Sequence, residues 1–206
     1  MTFRFKLELT RVECLSEAIG EWGKDEMRLF GFGISRKGHL FATGYRSLGS
    51  YHTGDVNQTP AIPMELFERD LEDDGLEVIF FFWLIEEDGG GVRDAARSLK
   101  DSFQKSFFDQ VETLREAQFP RECIPFTAFY KVILPFADEL HDASTRGNND
   151  EVFFPFDLIL RNEPTGPSVL NSTRELTLRR SKNAGDYLVT LRISYHQELI
   201  ADPTPR

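Results

Sequence analysis

The segment from Leu76 to Ile85 constrains this chain more than any other. Val78, Phe80, Phe82 and Leu84 alternate with Ile79, Phe81, Trp83 and Ile85, and both sets are apolar. A β-strand points successive side chains to opposite faces, so a strand with two apolar faces needs a covering layer on each side. An opposing sheet is expected to supply one cover, and the next segment the other. After the break at Glu86-Glu87-Asp88-Gly89-Gly90-Gly91, apolar residues recur at Val92, Ala96, Leu99, Phe103, Phe107, Val111 and Leu114, in steps of three and four. That spacing predicts an amphipathic helix of roughly 25 residues, stopped near Phe119-Pro120. A second helix is predicted over residues 126–143, with Pro125 near its start and Pro135 kinking or splitting it.

Strand signals flank this helical pair. Phe3, Phe5, Leu7 and Leu9 alternate with charged and polar residues, after which the phase slips to Val12 and Cys14. Such a slip marks a bulge or the end of the strand. Residues 16–24 read as a loop. Met27 to Ile34 reads as a second strand, and Arg36-Lys37-Gly38 as the turn into a third, His39 to Tyr45. Residues 47–63 read as a long irregular loop, and Met64 to Leu71 as a further strand. Beyond the linker 144–150, strands are predicted around Phe154 to Leu160, with Pro155 favouring an edge position, over Glu175 to Arg180, and from Tyr187 to His196. The expected fold is therefore mainly β within an α+β class: one domain, an antiparallel β-sandwich with a helical pair (about 92–143) inserted and packed on one sheet. Residues 199–206 are expected to be a disordered tail.

Composition narrows the function. The chain has 206 residues, 40% of them apolar, and 19 phenylalanines, enough for a sizeable core. Its net charge of −10 argues against nucleic acid, whose binding rests on Lys and Arg displacing counterions, and against adhesion to anionic lipid unless bound cations reverse the local charge. Cys14 and Cys123 form neither a disulfide framework nor a zinc motif and read as two buried free thiols in a reducing compartment. No secretory signal and no apolar run long enough to cross a bilayer is visible, so a cytoplasmic location is the default expectation, with signal-independent export as the alternative left open.

Acidic residues gather at predicted strand ends: Glu13 and Glu17, Asp25-Glu26, and Glu86-Glu87-Asp88. Carboxylates converging from flexible loops repel one another unless a cation joins them, and calcium takes six to eight oxygen ligands of this kind. The same residues also read as ordinary solvated turns. The run Gly23-Lys24-Asp25-Glu26-Met27-Arg28-Leu29 entering the second strand, and Trp83-Leu84-Ile85-Glu86-Glu87-Asp88 leaving the apolar one, resemble the corresponding junctions of protein kinase C conserved-region-2 domains. The resemblance implies a β-sandwich with calcium at one rim, Asp25, Glu86 and Asp88 being the ligands it carries over. Glu13 joins them as a candidate from its position at the end of the first strand. The sequence departs from the family in placing Glu26-Met27 where Pro-Tyr is usual, in using Glu for Asp, and in its helical insertion.

No nucleophile elbow, metalloprotease helix or phosphate loop is present, and no catalytic residue is assigned. Asp70, Asp73 and Asp74 keep a carboxylate-based hydrolase of sugars or esters as the alternative. Two aromatics stand apart from the core pattern: Trp22 in a polar, glycine-flanked loop, and Phe108, off the apolar helical stripe. Both are candidate contacts for a partner. The expectation is a non-enzymatic binding or assembly module that recognises a protein, with calcium as the candidate cofactor at its rim; membrane binding would require that calcium, and self-association is left open.

Overall fold

The computed structural model describes residues 2–17, 25–59, 61–72, 77–87, 91–145, 151–153, 155–160, 171–182 and 185–198. The doubly apolar segment is strand β6, Val78–Glu86, every residue of which is buried. On either side of it in one sheet lie β2 (Asp25–Ser35) and the short strands β7 (Glu151–Val152) and β8 (Phe156–Leu160). The strands β3 (Leu40–Ala42) and β4 (Arg46–Tyr51) lie end to end along the far edge of β2. The second sheet runs β5 (Met64–Glu72), β1 (Thr2–Glu17), β10 (Gly185–Glu198), β9 (Asn171–Lys182). All these pairings are antiparallel. Helices α1 (Gly91–Glu116) and α2 (Ile124–Thr145) form the third layer.

Two cores result, one on each face of β6. Val78, Phe80, Phe82 and Leu84 meet Phe5, Leu7, Leu9, Leu191 and Ile193 of the opposing sheet. Ile79, Phe81, Trp83 and Ile85 meet the helices, whose buried stripe is the expected one, Val92, Ala96, Leu99, Phe103, Phe107, Val111 and Leu114. Each such side chain contributes about 1.5–3 kcal/mol on leaving water. Ring packing extends through both cores: Phe5 stacks on Phe80 at 5.9 Å, Phe32 on Phe103 at 4.1 Å and Phe30 on Phe136 at 6.0 Å. The far face of the β1–β10 sheet carries ion pairs instead, Lys6 with Glu8 at 2.9 Å and Arg192 with Glu175 at 2.9 Å, as befits a face turned to water.

Several local features follow from the residues. The phase slip in β1 is a bulge: pairing with β10 jumps from Leu9 to Arg11, so Thr10 is the extra residue and Val12 returns to the core. β4 falls within the stretch expected to be an irregular loop. Its buried residues, Leu48 and Tyr51, are three apart because the ladder with β2 shifts between Gly49 and Ser47, which removes the period-2 signal. α2 runs continuously through Pro135 rather than splitting. β3 is shorter than expected and β9 longer; β9 is a polar edge strand, so alternation marks it weakly. Pro155 stands between β7 and β8, both at the sheet edge.

The run Phe30-Gly31-Phe32-Gly33 on β2 shows how tightly β6 is held. Phe30 and Phe32 face the helices, while a Cβ built at Gly31 or Gly33 would come within 2.4 Å of the rings of Phe82 and Phe80. The glycines leave the space those rings fill. A Gly33→Val variant is therefore expected to lose about 2–3 kcal/mol, the usual cost of overpacking a filled core. Urea denaturation measures it as a lower midpoint at unchanged slope. Wild-type stability would mean that β2 and β6 do not meet in this register.

Candidate functional site

Two places on this frame carry chemistry: the rim where β2 and β6 end, and the tip of the helical hairpin. At the rim, Met27 pairs with Glu86, which places Asp25 diagonally from Glu86 on the face of the sheet that looks into the sandwich. Asp25 is 3% exposed and Glu86 0%. The Tyr187 hydroxyl donates to Asp25 Oδ2. Burial, and then the neighbouring Asp25, push the Tyr187 phenol far above its ordinary range, and burial pushes the Cys14 thiol up to about 11 and the Tyr51 phenol up to about 12. At neutral pH these groups are neutral rather than nucleophilic: Tyr187 donates to the carboxylate, and Tyr51 donates to Leu48 O at 3.0 Å. Of the two cysteines expected to be buried, Cys14 is, whereas Cys123, in the turn before α2, is exposed.

Glu87 faces the other way. Its Oε2 accepts from Arg28 Nε at 2.7 Å and from an Arg93 Nη at 2.7 Å, and its side chain is 3% exposed. Arg28 also donates to Ser47 Oγ at 2.7 Å and to Glu26 Oε2 at 3.0 Å. This ion cluster joins β2, the end of β6 and the first turn of α1, fixing the helical layer to the sheet. In the sequence Glu87 is one of three consecutive acidic residues with nothing to set it apart from the other two. The signal that would have singled it out is Arg93 in the first turn of the following helix, together with Arg28 beside Met27 on the paired strand.

The structure thus brings Asp25 and Glu86 together. It does not bring Glu13 to them: Cys14 points into the sandwich, and its neighbour Glu13 lies on the opposite face of β1, held by Arg11 at 2.7 Å. Asp88 and Trp22 lie outside the described residues, as do Asp73 and Asp74. Asp70 pairs with Arg4 in the β5–β1 ladder. Among the described residues, no group of three or more His, Cys, Asp or Glu side chains is placed to hold a metal ion.

The hairpin tip is built differently. α1 ends in a Schellman motif: Phe119 N–H donates to Leu114 O at 3.0 Å and Gln118 N–H to Arg115 O at 3.0 Å, with Gln118 in the left-handed conformation at φ 55°. This cap turns Phe119 out of the helix, and Pro120 prevents the helix from continuing. The β2–β3 turn, expected from Arg36-Lys37-Gly38 as a turn and no more, brings Lys37 and Gly38 to the same place, with Gly38 at φ 84°. Together these elements enclose a groove of about 870 Å³. Phe107, Val111 and Ile124 form its buried floor, while Phe108 (50% exposed) and Phe119 (39% exposed) stand at its sides. Lys37, Arg115 and Arg121 also line it, and no carboxylate does. Glu112, outside the lining, accepts from an Arg115 Nη at 2.6 Å. Phe108 was singled out by its helical phase; Phe119, Lys37 and Arg121 were not, since only the tertiary fold brings the turn, the cap and the helix ends together.

A smaller cleft of about 200 Å³ lies between α2 and β7, lined by Trp83, Phe153, Val152 and Ala137 with Asp138 and His141. It holds one carboxylate.

No protein-family model matches the chain, and no curated protein matches it. Among solved structures it is similar to human GIVD cytosolic phospholipase A2 in complex with methyl gamma-linolenyl fluorophosphonate, at 6% identity and a TM-score of 0.38, over 96% of this chain and 17% of that one. The complex of the same enzyme with that inhibitor and terbium chloride gives 8% identity and a TM-score of 0.39, over 96% and 18%. The chain spans less than a fifth of that enzyme's length. A likeness at these values carries no argument; the two-sheet antiparallel sandwich is read from the chain's own strand pairings, and function from the two places just described.

Proposed function

We propose that this chain is a non-enzymatic binding or assembly module that recognises a protein partner through the groove at the tip of its helical hairpin. The observation that carries this reading is Phe108, half exposed beside a second exposed phenylalanine, over an apolar floor and within a ring of cations. An apolar centre with a charged rim is the anatomy of a protein interface. The hydrolase alternative calls for two carboxylates facing each other across a cleft; the groove offers none and the cleft beside β7 one, whereas Asp109 and Glu139 both line an open cleft of about 330 Å³ between α1 and α2, where that alternative would have to reside.

Calcium enters as a second reading, confined to the rim and separate from the groove. What favours it is the pair of buried carboxylates, Asp25 and Glu86, on one face where β2 and β6 end. Bound calcium would lower their mutual repulsion and stabilise the folded state.

The groove is tested by placing a photoreactive benzoylphenylalanine at position 108 and irradiating the protein in an extract of its source cells. A discrete protein adduct is expected, absent when the probe stands at the exposed Thr177 of β9 and lost when Phe119→Ser is added. Equal labelling from positions 108 and 177 would refute the reading. For calcium, the expected outcome is a melting temperature higher in excess calcium than in chelator. Saturation at 100 times the dissociation constant adds about 2.7 kcal/mol, or roughly 5–10 °C, and Asp25→Asn and Asp88→Asn should abolish the difference. Identical melts in calcium and chelator would remove calcium from the proposal.

A further inference from the structure

We infer that the occupant of the hairpin groove is a short acidic peptide segment that carries an apolar anchor among its carboxylates. This inference rests on the protein-recognition reading and adds to it the chemistry of the partner.

Charge complementarity is the first argument. The chain holds 34 acidic and 24 basic side chains, yet the groove inverts that balance, with Lys37, Arg115 and Arg121 in its lining and no carboxylate. Guanidinium groups beside an apolar floor suit a carboxylate-bearing ligand, because a planar fork can bind both carboxylate oxygens at once. The partner's aromatic or aliphatic anchor would take the space between Phe108 and Phe119, where ring contacts add to the burial of area.

Shape is the second argument, and it decides against a membrane. Insertion into lipid needs apolar side chains that protrude from a convex tip, with the basic residues behind them. Here both exposed phenylalanines line one concave groove whose floor is Phe107, Val111 and Ile124. A volume of about 870 Å³ is at the upper end for small-ligand sites and takes a few residues of extended or turned chain. A second copy of this chain is disfavoured by its own net charge of −10, which would accumulate on association.

Preorganisation is the third. The groove's walls are a helix cap closed by two backbone hydrogen bonds, a connection bounded by Pro120 and Pro125, and a tight turn at Gly38. A ligand entering such a site need not order it first.

The test uses three fluorescein-labelled octapeptides with the same phenylalanine and leucine, in which the remaining positions are aspartate, serine or lysine. Fluorescence polarisation measures their binding to the intact protein. The aspartate peptide is expected to bind at least tenfold more tightly than the serine peptide, to weaken as salt rises, and to lose roughly tenfold in affinity with Arg121→Glu and more with Phe108→Ser. The lysine peptide should gain from Arg121→Glu. Both positions are exposed, so the variants keep their fold, which circular dichroism checks. If all three peptides bind alike and respond only to Phe108→Ser, the acidic chemistry is overturned while the protein-binding groove stands. If no peptide binds, but vesicles of phosphatidylserine and phosphatidylcholine bind in a Phe108-dependent way, both readings fall to a membrane surface. Dimerisation abolished by Phe108→Ser, without peptide binding, would overturn the inference in favour of a second copy.

Discussion

The structure depends on sealing β6 from both sides. Eight consecutive apolar residues, Val78 to Ile85, cannot leave either face of their strand in water. One face requires a second sheet and the other requires helices, and each requirement fixes a partner. The opposing sheet meets Phe80 and Phe82 with Phe5, Leu7 and Ile193, and the helices meet Phe81 and Trp83 with Phe103, Phe129 and Phe136. β2 adapts to both at once, its phenylalanines facing one core and its glycines making room for rings in the other. The layered fold follows from this constraint.

The functional candidates are consequences of how the layers end. Where β6 stops, its carboxylates divide by strand parity. Glu86 turns into the sandwich beside Asp25, and Glu87 turns toward the helices, where two arginines hold it. Burying an ion cluster brings no large gain over apolar packing, but removing one member leaves charge stranded, so Glu87 sets geometry more than it adds net stability. At the other end of α1, the helix runs out before its apolar surface does. Phe107 goes under the fold, while Phe108 and the capped Phe119 are left at the surface, with the β2–β3 turn beside them. That unfinished apolar surface, ringed with cations in an acidic chain, is what the proposal of a recognition site at the tip rests on.

Legibility in the sequence followed the range of the interaction. The double face of β6 and the stripe of α1 are local patterns set by one covering layer each, and both are readable from spacing alone. The slip from Leu9 to Val12 is likewise local, because one extra residue in a ladder leaves a three-residue step. The same step between Leu48 and Tyr51 went unread, since it sits among serine and glycine with no alternation on either side. Glu87 and the groove depend on residues far apart in sequence: Arg28 and Arg93 in one case, Lys37, Phe108 and Arg121 in the other. Periodicity holds no information about such meetings. Phe108 was legible as an aromatic out of phase with its helix, but not its neighbours. The acidic rim was legible as composition, and the outward turn of Glu13 follows from the slip in β1, which makes its neighbours Val12 and Cys14 the inward positions.

Amide hydrogen exchange across Val78–Glu86 tests the central claim most directly. A strand paired on both edges and covered on both faces exchanges only when the whole fold opens. The amides from Phe80 to Leu84 should therefore be the slowest in the protein and share one opening free energy, equal to that of global unfolding, while those of the edge strand β9 exchange through local fraying. If the β6 amides exchange as fast as those of β9, the strand is not sealed between two layers, and the account of the fold and of the sites built on its ends fails.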